Sequence, residues 1–148
     1  MLFRSPMTRD EEGSVLVLGI GLTVVVAAML TVAVNIAVLW EQRTSLNSLA
    51  DGAALAGAQA VDRSAVFTQG LEAALVLDPP EARRRVREYI NRAARSSGLA
   101  GVTVERITVE RTAVTVTLTA PPRAPFGYFM PSQPRQLRAT ARGINRLR

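Results

Sequence analysis

From Val15 to Leu39 the chain runs for 25 residues without an ionisable side chain, dominated by Val, Leu, Ile and Ala and interrupted only by Gly19, Gly21, Thr23, Thr31 and Asn35. As a helix rising ~1.5 Å per residue, such a run is ~37 Å long, more than the ~30 Å hydrocarbon core of a bilayer. A helix also keeps its backbone hydrogen bonds to itself, which lipid demands. The run therefore predicts a single transmembrane helix over residues 15–40. Trp40 sits at its end, suited to the membrane boundary, with Glu41 and Arg43 marking where water begins. The competing reading is a cleavable signal peptide, whose apolar core is normally ~7–15 residues followed by a small-x-small site. Here the run is much longer and leads into Trp40-Glu-Gln-Arg43. Arg4 and Arg9 on one side, against Arg43 on the other, place residues 1–14 as a cytoplasmic tail and residues 41–148 outside the cell membrane.

Beyond the anchor there is room for one small domain. The 148 residues contain no cysteine, histidine or lysine. That removes disulfides, thiolate ligands and the commonest general base and metal ligand, and it predicts no enzyme, no cofactor and no small-molecule substrate. Residues 41–148 hold sixteen arginines against nine acids, a net +7. Such a surface suits anionic lipid, nucleic acid, cell-wall polymer or an acidic partner protein. Nucleic acid is set aside, because no groove-reading motif, zinc pattern or aromatic-basic interleaving accompanies the arginines. The lipid bilayer is the first partner implied.

Helical periodicity does not stop at Trp40. Leu46, Leu49, Ala50, Ala53, Gly57, Ala60 and Val61 fall on one face, with Asn47, Asp51 and Asp62 on another. One long helix, partly in lipid and partly in protein, is predicted. The small residues of positions 50–60 let another element approach closely; packing within the chain's own domain is favoured over a partner helix or a homo-oligomer through this face.

In that order, Asp10-Glu-Glu-Gly-Ser-Val-Leu-Val-Leu before and into the span, Val34-Asn-Ile-Ala-Val-Leu at its end, and Arg43-x-x-Leu-x-x-Leu-Ala-Asp-Gly-Ala-Ala-Leu-Ala-Gly-Ala beyond it resemble the N-terminal region of TadE/TadG-like proteins of Flp pilus assembly. The resemblance covers about the first 60 residues. It implies a structural part of a Flp (Tad) type IVb-like pilus or secretion system, with other assembly proteins as partners. Prepilins of the type IV class are cut after a Gly and carry a Glu five residues on; counted from Gly13 that position is Leu18. The likeness is thus to the uncut TadG-like members.

The rest of the chain reads as α+β. Between Asp62 and Leu77 a turn and a short helix are expected. Asp78-Pro-Pro-Glu81 supplies a capping side chain and first-turn prolines for a helix reaching about Ser97 and stopped by Gly98. Val86, Tyr89, Ile90, Ala93 and Ala94 form its apolar face, and Arg83, Arg84, Arg87, Arg92 and Arg95 point largely away. From Val102 the period becomes two, and three antiparallel strands are predicted, with a slip of phase at Arg106 that either a bulge or a misplaced strand boundary explains. Glu105 and Glu110 read as lying on opposite faces, which makes no carboxylate pair. The two helices are the available covers for the sheet.

Between the second and third strands, residues 121–134 hold five of the eight prolines and three of the seven aromatics. Phe126, Tyr128, Phe129 and Met130 either tuck over the core or form an apolar tip for lipid headgroups or a partner. The resulting expectation is a membrane-anchored structural or assembly component. The alternative is a single-pass binding or regulatory module of the cell envelope unrelated to pili.

Overall fold

A computed structural model describes residues 9–60, 76–123, 125 and 135–145. The chain divides into two compact units, Met1–Ala37 and Val38–Arg148. Helix α1 runs Arg9–Ala58 and so contributes to both; α2 is Pro79–Ser96, and strands β1 (Thr103–Val109), β2 (Ala113–Ala120) and β3 (Leu137–Ile144) come after it. The fold is α+β.

In the first unit α1 is an apolar rod. From Val15 to Val34 its large side chains are exposed, Leu18 at 73%. The helix from Gly13 onward is long and apolar enough to cross a membrane. Between Val15 and Val34 the two threonine hydroxyls are satisfied inside the helix, Thr23 donating to the Gly19 carbonyl and Thr31 to the Ala27 carbonyl, both at 2.8 Å. That leaves no side-chain donor of this stretch needing water, as a lipid environment requires.

The second unit is built on a three-stranded antiparallel meander in the order β1-β2-β3. Val114, Val116, Leu118 and Ala120 of β2 and Leu137, Ala139 and Ala141 of β3 line its buried face. Leu46, Leu49, Ala50, Ala53 and Ala54 of α1 and Ala82, Val86 and Ile90 of α2 complete one core with them. The opposite face carries Thr115, Thr117 and Thr119 paired with Arg142, Thr140 and Arg138 of β3.

The slip of phase in β1 is a bulge: the register shifts between Val104 and Arg106. This changes the placement of the glutamates. Arg138 and Arg142 lie four apart on one strand and hence on one face. Arg138 pairs with Glu105 at 2.6 Å and Arg142 with Glu110 at 2.7 Å, so both carboxylates lie over the polar face rather than on opposite faces. Strict alternation fails here because the extra residue returns the strand to the same side.

Helix α2 begins after Asp78, whose backbone is extended but whose side chain makes no capping hydrogen bond. The expected cap is not made. Pro79 and Pro80 occupy the first two helical positions, so of the amides a capping side chain can meet only that of Glu81 remains. Glu81 instead accepts from Arg84 at 2.8 and 2.7 Å and from Arg85 at 2.8 Å. The helix stops as expected, with Ser97 as C-cap and Gly98 at φ +66, a left-handed conformation that glycine adopts without a Cβ penalty. At the other end of the domain, Asp78 N–H donates to Ala60 O (3.1 Å) and Leu77 N–H to Arg111 O (2.9 Å). The turn and short helix expected between Asp62 and Leu77 lie almost wholly outside the described residues.

Candidate functional site

The small-residue face of α1 is turned inward. Leu46, Ala50, Ala53 and Ala60 are fully buried, Leu49 nearly so, and Gly57 is buried among them. A Cβ on Gly57 would meet Val86 Cγ2 at 2.7 Å and Val114 Cγ1 at 3.1 Å, and one on Gly143 would overlap the backbone of Ala54. These glycines let α1 lie directly on α2 and the sheet. The face is therefore occupied by the chain's own domain.

A different set of residues gathers where α1 enters the domain. Trp40 is 74% exposed on the first turn of the second unit. Two residues on, Gln42 is only 6% exposed. Its Nε2 donates to Pro121 O at 2.8 Å, and its Oε1 accepts from the Arg123 backbone N–H at 2.8 Å. The side-chain amide thus meets the backbone leaving β2 with one donor and one acceptor, as a neighbouring strand would. Arg123 in turn donates from Nη1 to Gly98 O at 2.7 Å, holding the end of α2. One buried amide and one guanidinium fasten α1, the end of α2 and the exit of β2 together.

Two shallow recesses adjoin this junction. One, of about 280 Å³, lies between α1 and α2 and is lined by hydroxyls, among them Thr44, Ser45, Ser48, Tyr89, Ser96 and Ser97. The other, of about 210 Å³, is lined by Glu41, Gln42, Ser45, Ser97, Gly98 and Arg123, among others. At the far end of the domain Arg84 bridges Glu81 and Glu88, and Arg85 donates to Gln59 O at 3.0 Å, tying the start of α2 to the end of α1. Through those bonds, from Arg84 first and then Arg85, the Glu81 carboxyl is pulled down to about 2, and the Arg84 guanidinium is pushed up.

Gln42 and Arg123 do not stand out when the chain is read for charge or motifs, whereas Gly98 does, as the helix stop. A signal was present nonetheless. Gln42 precedes Leu46 by four and Leu49 by seven, so it extends the buried stripe of α1; a polar side chain on such a stripe implies waiting partners. The expected contact residues Phe126, Tyr128, Phe129 and Met130 lie outside the described residues, while the two ends of their loop, Pro121–Arg123 and Arg135–Leu137, are described.

Apolar helix, core and junction are all built on α1. Residues 13–60 match the family model for Flp pilus-assembly TadE/G-like proteins. This TadE/G-like segment covers about a third of the chain. It starts at Gly13, takes in the apolar run and ends at Ala60, so it includes Gln42 and the whole inward-facing stripe of α1. The sheet, α2 and Arg123 lie beyond it. No curated protein and no solved structure matches the chain.

Proposed function

We propose that the chain is a membrane-anchored structural or assembly component of a Flp (Tad) type IVb-like pilus or secretion system, with residues 1–14 inside, 15–40 in the cell membrane and 41–148 outside. The observation that carries this reading is the coincidence of the TadE/G-like match with α1. The matched stretch is both the apolar rod and one wall of the domain core, so anchor and domain share one continuous element. A part that must hold a folded domain at a membrane surface benefits from such continuity, because no linker residues separate anchor from domain. No proton-transfer or nucleophilic step is asked of it.

Partner contact is assigned to Phe126, Tyr128, Phe129 and Met130, since the small-residue face of α1 is already covered. Full-length tagged chain, extracted from membranes in mild detergent, should co-purify with a Flp pilin or with the Tad ATPase and its membrane proteins. Deleting the gene should reduce surface pili. Replacing Phe126, Tyr128 and Phe129 together by serine should weaken co-purification severalfold and leave membrane insertion intact. If no Tad component co-purifies and pili persist after deletion, the chain is a single-pass binding or regulatory module of the envelope instead.

A further inference from the structure

The recess between Glu41, Ser45, Ser97, Gly98 and Arg123 holds a carboxylate that the fold does not use and a guanidinium that it uses only in part. Arg123 spends one donor on Gly98 O, and a guanidinium has several more, in a planar fork that suits phosphate. Glu41 carries no ion pair among the described residues. The Ser97 hydroxyl donates its proton back to Ala94 O at 3.2 Å, so its oxygen can only accept further bonds. The recess also sits at the C-terminal end of α2, where the helix dipole favours a cation. One wall thus seeks an anion and the other a cation that carries N–H donors.

We propose that this recess binds the headgroup of a phospholipid bearing a primary ammonium, a phosphoethanolamine, with phosphate on Arg123 and ammonium on Glu41 and the Ser97 oxygen. The occupant follows from place as well as charge. Val38, in the last turn of the apolar run, is part of the lining, and the exposed indole of Trp40 stands two residues from Gln42. With Val38 and Trp40 at a bilayer boundary, the group that meets Arg123 there is a lipid headgroup. A choline headgroup has no N–H for Ser97, and a glycerol headgroup leaves Glu41 without a cation. The inference rests on the membrane-anchored reading of α1 and deepens it by naming the lipid.

Trp40 is the sole tryptophan of the chain and so reports on its own surroundings. The full chain is reconstituted in phosphatidylcholine vesicles containing a minor fraction of one brominated-chain lipid, and quenching of Trp40 is compared among brominated phosphatidylethanolamine, phosphatidylcholine and phosphatidylglycerol. Phosphatidylethanolamine should quench as if enriched about fivefold beside Trp40, the gain expected of a partly exposed charge pair. Phosphatidylcholine should quench in proportion to its mole fraction. Glu41→Gln, a change on an exposed side chain, should abolish the enrichment without altering insertion. Equal quenching by all three lipids, equal enrichment of phosphatidylglycerol, or enrichment that survives Glu41→Gln would each overturn the proposal. Absence of quenching by every lipid would overturn the anchored reading with it, so the two failures are told apart.

Discussion

A buried amide is tolerated only where its donor and acceptor both find partners, and Gln42 meets that condition with two backbone groups that are themselves near the surface. Substitution by leucine keeps the volume and removes both bonds; water can reach Pro121 and Arg123, so the cost should be about 1–2 kcal/mol rather than more. For a domain of this size that lowers the thermal midpoint of the full chain in detergent by roughly 4–8 °C per kcal/mol. Glutamate is the sharper probe. Ionised, it accepts from Arg123 N–H but sets a second acceptor against Pro121 O; protonated, it can donate there as glutamine does. The folded state therefore raises the carboxyl pKa of Gln42→Glu above its unfolded value. Its destabilisation should be largest at neutral pH and shrink as pH falls through that raised pKa, while the leucine variant shows no such recovery. Parallel pH curves for the two variants would mean that the amide is not acting through this donor and acceptor pair.

Among the elements, α2 carries the clearest electrostatic dependence. Arg84 and then Arg85 hold the Glu81 carboxyl at about 2 against an ordinary 4.5. A depressed folded pKa gives stability that is present above the unfolded value and lost as pH falls through the folded one. The difference in thermal midpoint between the natural chain and Glu81→Gln should thus be constant above about pH 5, close between about 4.5 and 2, and shrink with added salt, as befits solvent-exposed pairs. A difference that stays constant down to pH 2 would count against this ion-pair cluster as its source. How far such elements can be read from sequence depends on whether their cause is local. The period of 3.6 in α1 and α2, the period of 2 in the strands and the glycine stop at Gly98 are local, and all are visible in the chain. The bulge was visible too, as a slipped phase at Arg106, but its effect on Glu105 and Glu110 needed the positions of Arg138 and Arg142 on a strand some thirty residues away. The cap expected at Asp78 is not made, and Pro80 takes away one of the two amides it could have met. The junction at Gln42 was the least legible part, since its partners are backbone groups of Pro121 and Arg123, and a backbone group leaves no mark in the sequence.

At the scale of the whole molecule, one helix has to satisfy two solvents. In the first unit its side chains are apolar and exposed, and Gly19 and Gly21 have nothing within 4 Å of an added Cβ. In the second unit the same helix buries one stripe and exposes another, where Leu55 is 56% exposed. If lipid surrounds the first part and water the second, arginine should be penalised very differently in the two. Near the centre of a span each arginine costs about 2.5–3.5 kcal/mol for insertion, against about −0.3 to −0.6 for each apolar residue replaced. The pair Leu22→Arg and Val26→Arg should therefore shift a substantial share of the chain out of the alkali-resistant membrane fraction. Leu55→Arg, further along the same helix, should leave that fraction unchanged and the domain folded, because its side chain already faces away from the core. Equal behaviour of the double and the single variant would mean that both halves of α1 meet the same solvent. A helix exposing Val15 to Val34 to water would then have no physical account, since the only force able to hold so apolar a surface unburied is a solvent that is apolar itself.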